Sequence, residues 1–362
     1  MLIRSHLQSY PCPVNLNLMW TFGFLIGMTF VIQILTGLIV AIHYTADIST
    51  AAYSVQHLAR EFTNGWFYRN MHAIGSSFVF ALMYLHMIRS LFYGSSVVSL
   101  TWISGIVIYI VTILTSFLGY CLPWGQMSFW AATVICNLLS SDVLITWVTG
   151  GFSLSLPTLK RMFVLHFIIP FVTLGIAIVH IFYLHNNGSS NPLGHTPAAT
   201  LKFPFHPFFF VTDLRGMALL LAVFLFQTLF GYLTSLESPE NLCAVDRFQT
   251  PLHIFPEWYF LPLYQIIKSL PSKASGCLLI IATLQVLVLF GFGLNRRLNY
   301  QSSSLIMSKE SVYFMYSFYL LGVFGGITPS ASITSGGRIA LLSMFLFAHL
   351  MDFGKFNQRI RL

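Results

Sequence analysis

The chain has 362 residues, of which 56% are hydrophobic and only 8% charged, with a mean hydropathy of +0.76. A soluble domain carries roughly a quarter of its residues as charged side chains, so 18 basic and 10 acidic groups are too few to coat a water-facing surface of this size. A soluble globular enzyme, a disordered chain and a secreted disulfide scaffold are excluded, and lipid must replace water over most of the surface.

A membrane-spanning helix needs about 20 apolar residues at 1.5 Å each to cross roughly 30 Å of hydrocarbon. Eight stretches qualify, which predicts an all-α polytopic membrane protein. They run from Leu18 to Ile42, Asn70 to Ile88, Val97 to Trp124, Met162 to Leu184, Met217 to Leu236, Ala274 to Leu294, Ser311 to Thr328 and Ile333 to Met351. The apolar segment from Met127 to Val148 is broken by Asn137-Leu-Leu-Ser-Ser-Asp142, which predicts short helices lying in the interface. A polar, Pro-rich break lies at Asn186 to Pro207, and a longer non-spanning piece at Glu237 to Lys273.

Eight spans place both termini on one side. Ten of the 18 basic residues fall in the loops of that side, Arg296, Arg297, Lys355, Arg359 and Arg361 among them, which marks it as the inner one. The formal charge of +8 comes from cations scattered singly, with no patch suited to nucleic acid. Cys12, Cys121, Cys136, Cys243 and Cys277 form no CxxC pair and read as small apolar fillers. Met1 to Trp20 has no apolar core of signal length, so either targeting is expected to rest on the first span or the protein is made close to its membrane.

Ionisable residues inside spans are costly and are functional candidates by default. His72 and His86 lie in the second span, His166 and His180 in the fourth, and both pairs are fourteen residues apart. Fourteen residues is close to four turns, so each pair shares a helix face at two levels about 21 Å apart. Two such helices facing each other make two stacked bis-histidine sites. Zinc wants three or four protein ligands, whereas two axial imidazoles suit a six-coordinate haem that moves electrons.

Gly23 and Gly37 in the first span, and Gly105 and Gly119 in the third, repeat the spacing of fourteen. Glycine inside a helix costs about 1 kcal/mol relative to alanine. Missing side chains at the same two levels would make room for flat macrocycles, although small-residue helix packing is the plainer explanation of either pair alone. Haem propionates need cations at the membrane edge. Arg69 and Arg161 precede the ligands of one level and Arg89 follows His86 at the other, and each could equally be an interfacial snorkelling residue.

Five segments carry a family resemblance: Gln33-Ile-Leu-Thr-Gly37, Gly119-Tyr-Cys-Leu-Pro-Trp-Gly-Gln-Met-Ser-Phe-Trp130, His180-Ile-Phe-Tyr-Leu-His185, Phe203-Pro-Phe-His-Pro207 and Pro256-Glu-Trp-Tyr259. The chain resembles the mitochondrial cytochrome b family, the dihaem subunits of the cytochrome bc1 complex (respiratory complex III). The match covers the first three quarters of the chain, and the last two spans agree mainly in hydropathy.

The resemblance implies two haem b groups, a low-potential one held by His72 and His166 near the outer face and a high-potential one held by His86 and His180. It implies an outer quinol-oxidising site around Phe117, Tyr120, Glu257 and Tyr264, and an inner quinone-reducing site using His185, Ser189 and Asp213 with Trp20 nearby. Residue type agrees: quinol oxidation releases protons that an isolated Glu257 can accept, and His185 with Asp213 can deliver protons to a quinone.

The implied organisation is a dihaem four-helix bundle over 1–215 and a carboxy-terminal part over 216–362 that includes the outer loop. The implied function is electron bifurcation in the mitochondrial inner membrane, with both termini in the matrix. One electron of ubiquinol passes to a Rieske iron–sulfur protein and the other passes inward through the haems to ubiquinone. The Rieske protein, cytochrome c1, accessory subunits and a second copy of the complex are the implied partners. A proton-coupled transporter leaves the matched glycines unexplained and lacks paired broken helices, and other dihaem quinone enzymes would lack Pro256-Glu-Trp-Tyr259.

The sequence also departs from the family pattern. Ala131 stands where glycine is usual, beside the outer pocket. The added methyl should narrow that pocket and weaken methoxyacrylate-type inhibitors, and ordinary inhibition in a membrane activity assay would contradict this. Thr212 replaces a lysine common beside the inner aspartate of animal homologues. The amino-terminal amphipathic segment is short and Gly325-Gly-Ile-Thr-Pro-Ser330 is unusual, so contacts with accessory subunits should differ.

Overall fold

The computed structural model describes residues 4–93, 99–139, 141–193, 201–231, 238–292 and 309–353. It is built of helices, in keeping with backbone that must satisfy its own hydrogen bonds in lipid. Those matching the first four expected spans are α1 (Phe22–His43), α3 (Gly65–Phe92), α4 (Ser99–Cys121) and α7 (Leu156–Asn187). A short α2 (Ala51–Glu61) lies between the first two, and α5 (Gln126–Cys136) and α6 (Asp142–Thr149) flank the break expected after Asn137. Then follow α8 (Phe210–Phe230), α9 (Leu261–Ser269), α10 (Lys273–Leu289), α11 (Lys309–Gly325) and α12 (Ala331–Phe353).

Among the described residues six segments are long and apolar enough to cross a membrane: α1, α3, α4, α7, α12 and the stretch Phe205–Phe230 that contains α8. The other two expected spans coincide with α10 and α11, which have 17 described residues each. Seventeen residues give about 25 Å, short of roughly 30 Å of hydrocarbon. By contrast α7, with 32 residues, reaches about 48 Å and must project into the polar zone. It continues through Pro170, whose missing amide leaves the His166 carbonyl without its helical donor. The expected span ends at Val97, Leu236 and Leu294 lie outside the described residues, as do Arg296, Arg297, Lys355, Arg359 and Arg361.

In the amino-terminal bundle α1 packs on α3 and α4 on α7, with α1 also touching α7. Val164, Leu165, Ile168, Val172, Ile178 and Phe182 stand exposed along α7, as expected of a lipid-facing helix. In the carboxy-terminal part α11 and α12 pair, and α9 lies against both and against α10. The boundary expected between 215 and 216 falls inside α8, which packs back on α1 and α3.

One core joins the two parts through Phe80, Tyr109, Tyr259, Phe290, Leu321 and Met344. A second lies where α4, α5 and α7 meet, and it contains Cys121 and Cys136. These two and Cys12 are buried fillers, whereas Cys243 is exposed and departs from that reading.

Two local elements were not visible as apolar periodicity. Helix α2 buries only Ala51, Ser54 and Leu58, spaced three and four along an otherwise polar sequence. A two-stranded antiparallel ladder pairs β1 (Pro11–Pro13) with β2 (Lys202–Pro204), Cys12 opposite Phe203, and ties the chain's start to the segment leading into α8.

Candidate functional site

Helices α3 and α7 bring the four histidines together in the expected pairs. The ring centroids of His72 and His166 lie 6.1 Å apart, and those of His86 and His180 6.4 Å apart. Two imidazoles bound to one metal between them, bonded at about 2.0 Å with each ring centre about 1.1 Å behind its nitrogen, would hold their centroids about 6.2 Å apart. Among the described residues no group of three or more His, Cys, Asp or Glu side chains gathers as a metal cage. Each pair would therefore supply two ligands, and the remaining positions would come from the bound group.

The second nitrogen of three histidines is already committed. His166 Nδ1 donates to the Thr115 carbonyl at 2.8 Å. The Thr36 hydroxyl donates to the Ile32 carbonyl at 2.7 Å, so it must accept from His72 Nδ1, 3.1 Å away. Ser104 gives its proton to Leu100 at 2.8 Å and likewise accepts from His180 Nδ1 at 3.0 Å. In all three the proton sits on Nδ1 and the lone pair on Nε2, the arrangement in which a metal-binding imidazole is oriented from behind. His86 differs, because Arg89 Nη2 donates to its Nδ1 at 3.1 Å.

Each glycine of the spacing motif faces one histidine. A Cβ built on Gly119 would lie 2.4 Å from His166 Cε1, and one on Gly37 2.9 Å from His72 Cε1. The corresponding distances are 3.2 Å from Gly105 to His180 and 3.5 Å from Gly23 to His86. The absent side chains thus admit the imidazoles themselves, which press against the neighbouring helix.

At the level of His72 and His166, the one expected to be outer, a cavity of about 320 Å³ is lined by Gly37, His72, Gly119, His166, Arg69, Tyr120, Glu257 and Tyr259. The histidine pair and the Glu257 segment therefore share one space. Tyr259 is buried and its ring stacks on Phe80, with centroids 4.1 Å apart and planes 7° apart. Burial first, and the Glu257 carboxylate second, raise its phenol above the usual range. Phe117 packs against the second core and is not part of the cavity lining.

Two further expected site residues also stand apart from this cavity. Tyr264 donates to the Ile254 carbonyl at 2.8 Å, and the Lys268 ammonium lies 5.0 Å from its ring centre. Burial pushes the Tyr264 phenol up and the Lys268 ammonium down. Arg161 donates to the Trp147 and Val148 carbonyls at the end of α6, where it complements the helix dipole. Arg69 is thus the expected propionate partner that lines the outer cavity.

At the other end of the bundle Tyr10 stacks on His185, with ring centroids 4.2 Å apart, and its phenol lies beside Ser189. Asp213 is buried, with Thr21 as its hydrogen-bond partner. Burial and then Asp213 push the Cys12 thiol up to about 11, so it stays neutral. Trp20 is covered by the Arg89 guanidinium, 5.1 Å from its ring centre. Arg89 Nε and Trp20 Nε1 are both buried without a partner. Thr212 donates only to the Phe208 carbonyl.

Thr36, Ser104 and Thr115 are functional candidates that pattern reading passed over. Their signal was faint but present: Thr36 and Ser104 each stand immediately before a motif glycine.

Residues 7–188 match the family model described as "Cytochrome b/b6/petB", and residues 244–345 match "Cytochrome b(C-terminal)/b6/petD". The chain is 47% identical over 349 residues to "Cytochrome b" of Plasmodium vivax (strain Salvador I), covering 95% of this chain and 91% of that one. It is 46% identical over 348 residues to "Cytochrome b" of Toxoplasma gondii, covering 94% of each. Among solved structures, a chain of "Hyperthermophilic respiratory Complex III" superposes with a TM-score of 0.86 at 30% identity, over 95% of this chain and 93% of that one. Two consecutive family models and relatives matched nearly end to end show that the chain belongs to the cytochrome b family.

Proposed function

We propose that this chain is the membrane electron-transfer subunit of a ubiquinol–cytochrome c oxidoreductase in the mitochondrial inner membrane. The observation that carries the reading is the pair of histidine couples at bis-imidazole spacing, 6.1 Å and 6.4 Å between ring centres. Haem b bound at each level would supply reversible one-electron chemistry, and its potential would be tuned by burial and by the hydrogen bonds behind each imidazole. The residues fit such a group: paired imidazoles, three of them with Nδ1 committed to a partner behind the ring, glycines at their level, and a buried Arg89 with an unpaired Nε that suits a propionate. A carboxylate there would draw the guanidinium off His86 Nδ1 and leave His86 free to present Nε2.

In the outer cavity Glu257 accepts the protons released when quinol is oxidised, with Tyr120 and Tyr259 shaping the space and Phe117 and Tyr264 acting from outside its lining. At the inner end His185, Ser189 and Asp213 bind the quinone carbonyl and deliver protons, with Trp20 between that site and Arg89. Residues 1–215 hold the haems and residues 216–362 carry the outer loop, with α8 packed across the two. Both termini face the matrix. The partners are the Rieske iron–sulfur protein, cytochrome c1 and accessory subunits in a dimeric complex, for which the match to a respiratory Complex III chain is the support.

A reduced-minus-oxidised difference spectrum of the purified protein tests this reading. Two b-type components of unequal potential are expected, and a preparation without haem would refute it.

A further inference from the structure

Between its two histidines, α3 presents a column of side chains to the Trp258–Phe260 turn. The Ser77 hydroxyl accepts from Trp258 Nε1 at 3.1 Å and Ser76 from the Tyr259 phenol at 3.4 Å. Phe80 stacks on the Tyr259 ring, and the Tyr84 phenol donates to the Tyr259 carbonyl at 2.5 Å. The Phe260 amide closes the turn by donating to the Glu257 carbonyl at 2.9 Å. Tyr84 has one proton, already given to Tyr259, so Tyr109 must be the donor across the 3.2 Å between the two phenol oxygens. The chain runs one way, Tyr109 to Tyr84 to the Tyr259 carbonyl, and each link polarises the next.

We propose that Tyr84, backed by Tyr109, is a positioning residue of the outer quinol pocket. Its bond to the Tyr259 carbonyl fixes the turn that follows Glu257 against the helix bearing His72 and His86. The proposal rests on the functional reading above. Neither tyrosine lines the cavity, so their effect reaches quinol only through the turn. The consequence is a mechanical link between the acid that meets the quinol and the helix that holds the haem ligands.

The test uses membranes carrying the assembled complex, with cytochrome c reduction followed against a short-chain ubiquinol. Removing one buried hydrogen bond should raise the quinol KM about three- to tenfold in Tyr84→Phe, with the two-component haem spectrum unchanged. Tyr109→Phe should raise it less, and the double variant should be no worse than Tyr84→Phe alone. If Tyr84→Phe does not assemble, Tyr109→Phe carries the test, since it removes the donor to Tyr84 without touching the cavity, and KM should rise in the same direction. Normal KM in Tyr84→Phe and Tyr109→Phe, with an intact spectrum, overturns the proposal. Independent, additive effects of the two tyrosines overturn the relay through Tyr84. Wild-type membranes in which quinol fails to reduce any haem would instead refute the functional reading, and this proposal with it.

Discussion

Replacing His72 by leucine removes one of the two b-type components and leaves the other at close to its normal amplitude. Leucine matches the bulk of imidazole in a helix but offers no lone pair, so the outer level keeps a single ligand, His166, held at its Nδ1 by Thr115. The inner level is built from His86, His180, Ser104 and Arg89, none of which contacts the substituted position, and it lies two turns beyond the nearest point of the outer cavity along α3. Removing even the group behind a metal-bound histidine typically weakens binding or activity by about 10–100-fold, so loss of the ligand itself should cost at least that in quinol-dependent cytochrome c reduction. Redox titration of membranes monitored in the haem absorption bands is the measurement. Retention of both components in His72→Leu would contradict the pairing of His72 with His166.

The sequence made this prediction possible because a histidine in a span is rare and its spacing is countable. Two repeats of fourteen, one in histidine and one in glycine, mark the four helices that pack together in the amino-terminal bundle. The spans were legible for the same reason, since about 20 apolar residues have few other uses. What could not be read depended on contacts between helices. Nothing in the string says that Arg161 folds back onto the α6 carbonyls while Arg69 turns to the cavity, because both are single cations at a span edge. Helix α2 escaped notice because it buries three small or apolar residues on a polar background. The β1–β2 ladder joins segments nearly two hundred residues apart, and no local pattern encodes that. Nor does the spacing of the glycines say that each of them faces an imidazole ring across the bundle.

That contact yields a graded expectation for alanine at the four glycines. In a helix, glycine to alanine alone stabilises by up to about 1 kcal/mol, so a harmful effect must come from the new methyl. At Gly23 the Cβ would sit 3.5 Å from His86 Cε1, an ordinary van der Waals contact, and Gly23→Ala should keep both haem components. At Gly105 the 3.2 Å approach to His180 asks for a shift of a few tenths of an ångström. At Gly37 the 2.9 Å approach to His72 asks for more. At Gly119 the methyl would lie 2.4 Å from His166 Cε1, 2.9 Å from Nδ1 and 3.0 Å from Nε2, so the whole ring must move. That ring is tied to the Thr115 carbonyl of the same helix at 2.8 Å, and retreat breaks the bond that presents Nε2. Overpacking a filled site costs about 1–3 kcal/mol, more than the helix gains from alanine. Gly119→Ala should therefore lose or strongly shift the outer component, Gly37→Ala should shift it less, and the inner component should be nearly insensitive to Gly105→Ala and Gly23→Ala. Midpoint titrations of the four variants give the order directly. A larger effect at Gly23 than at Gly119 would show that the glycines do not act by admitting the rings they face.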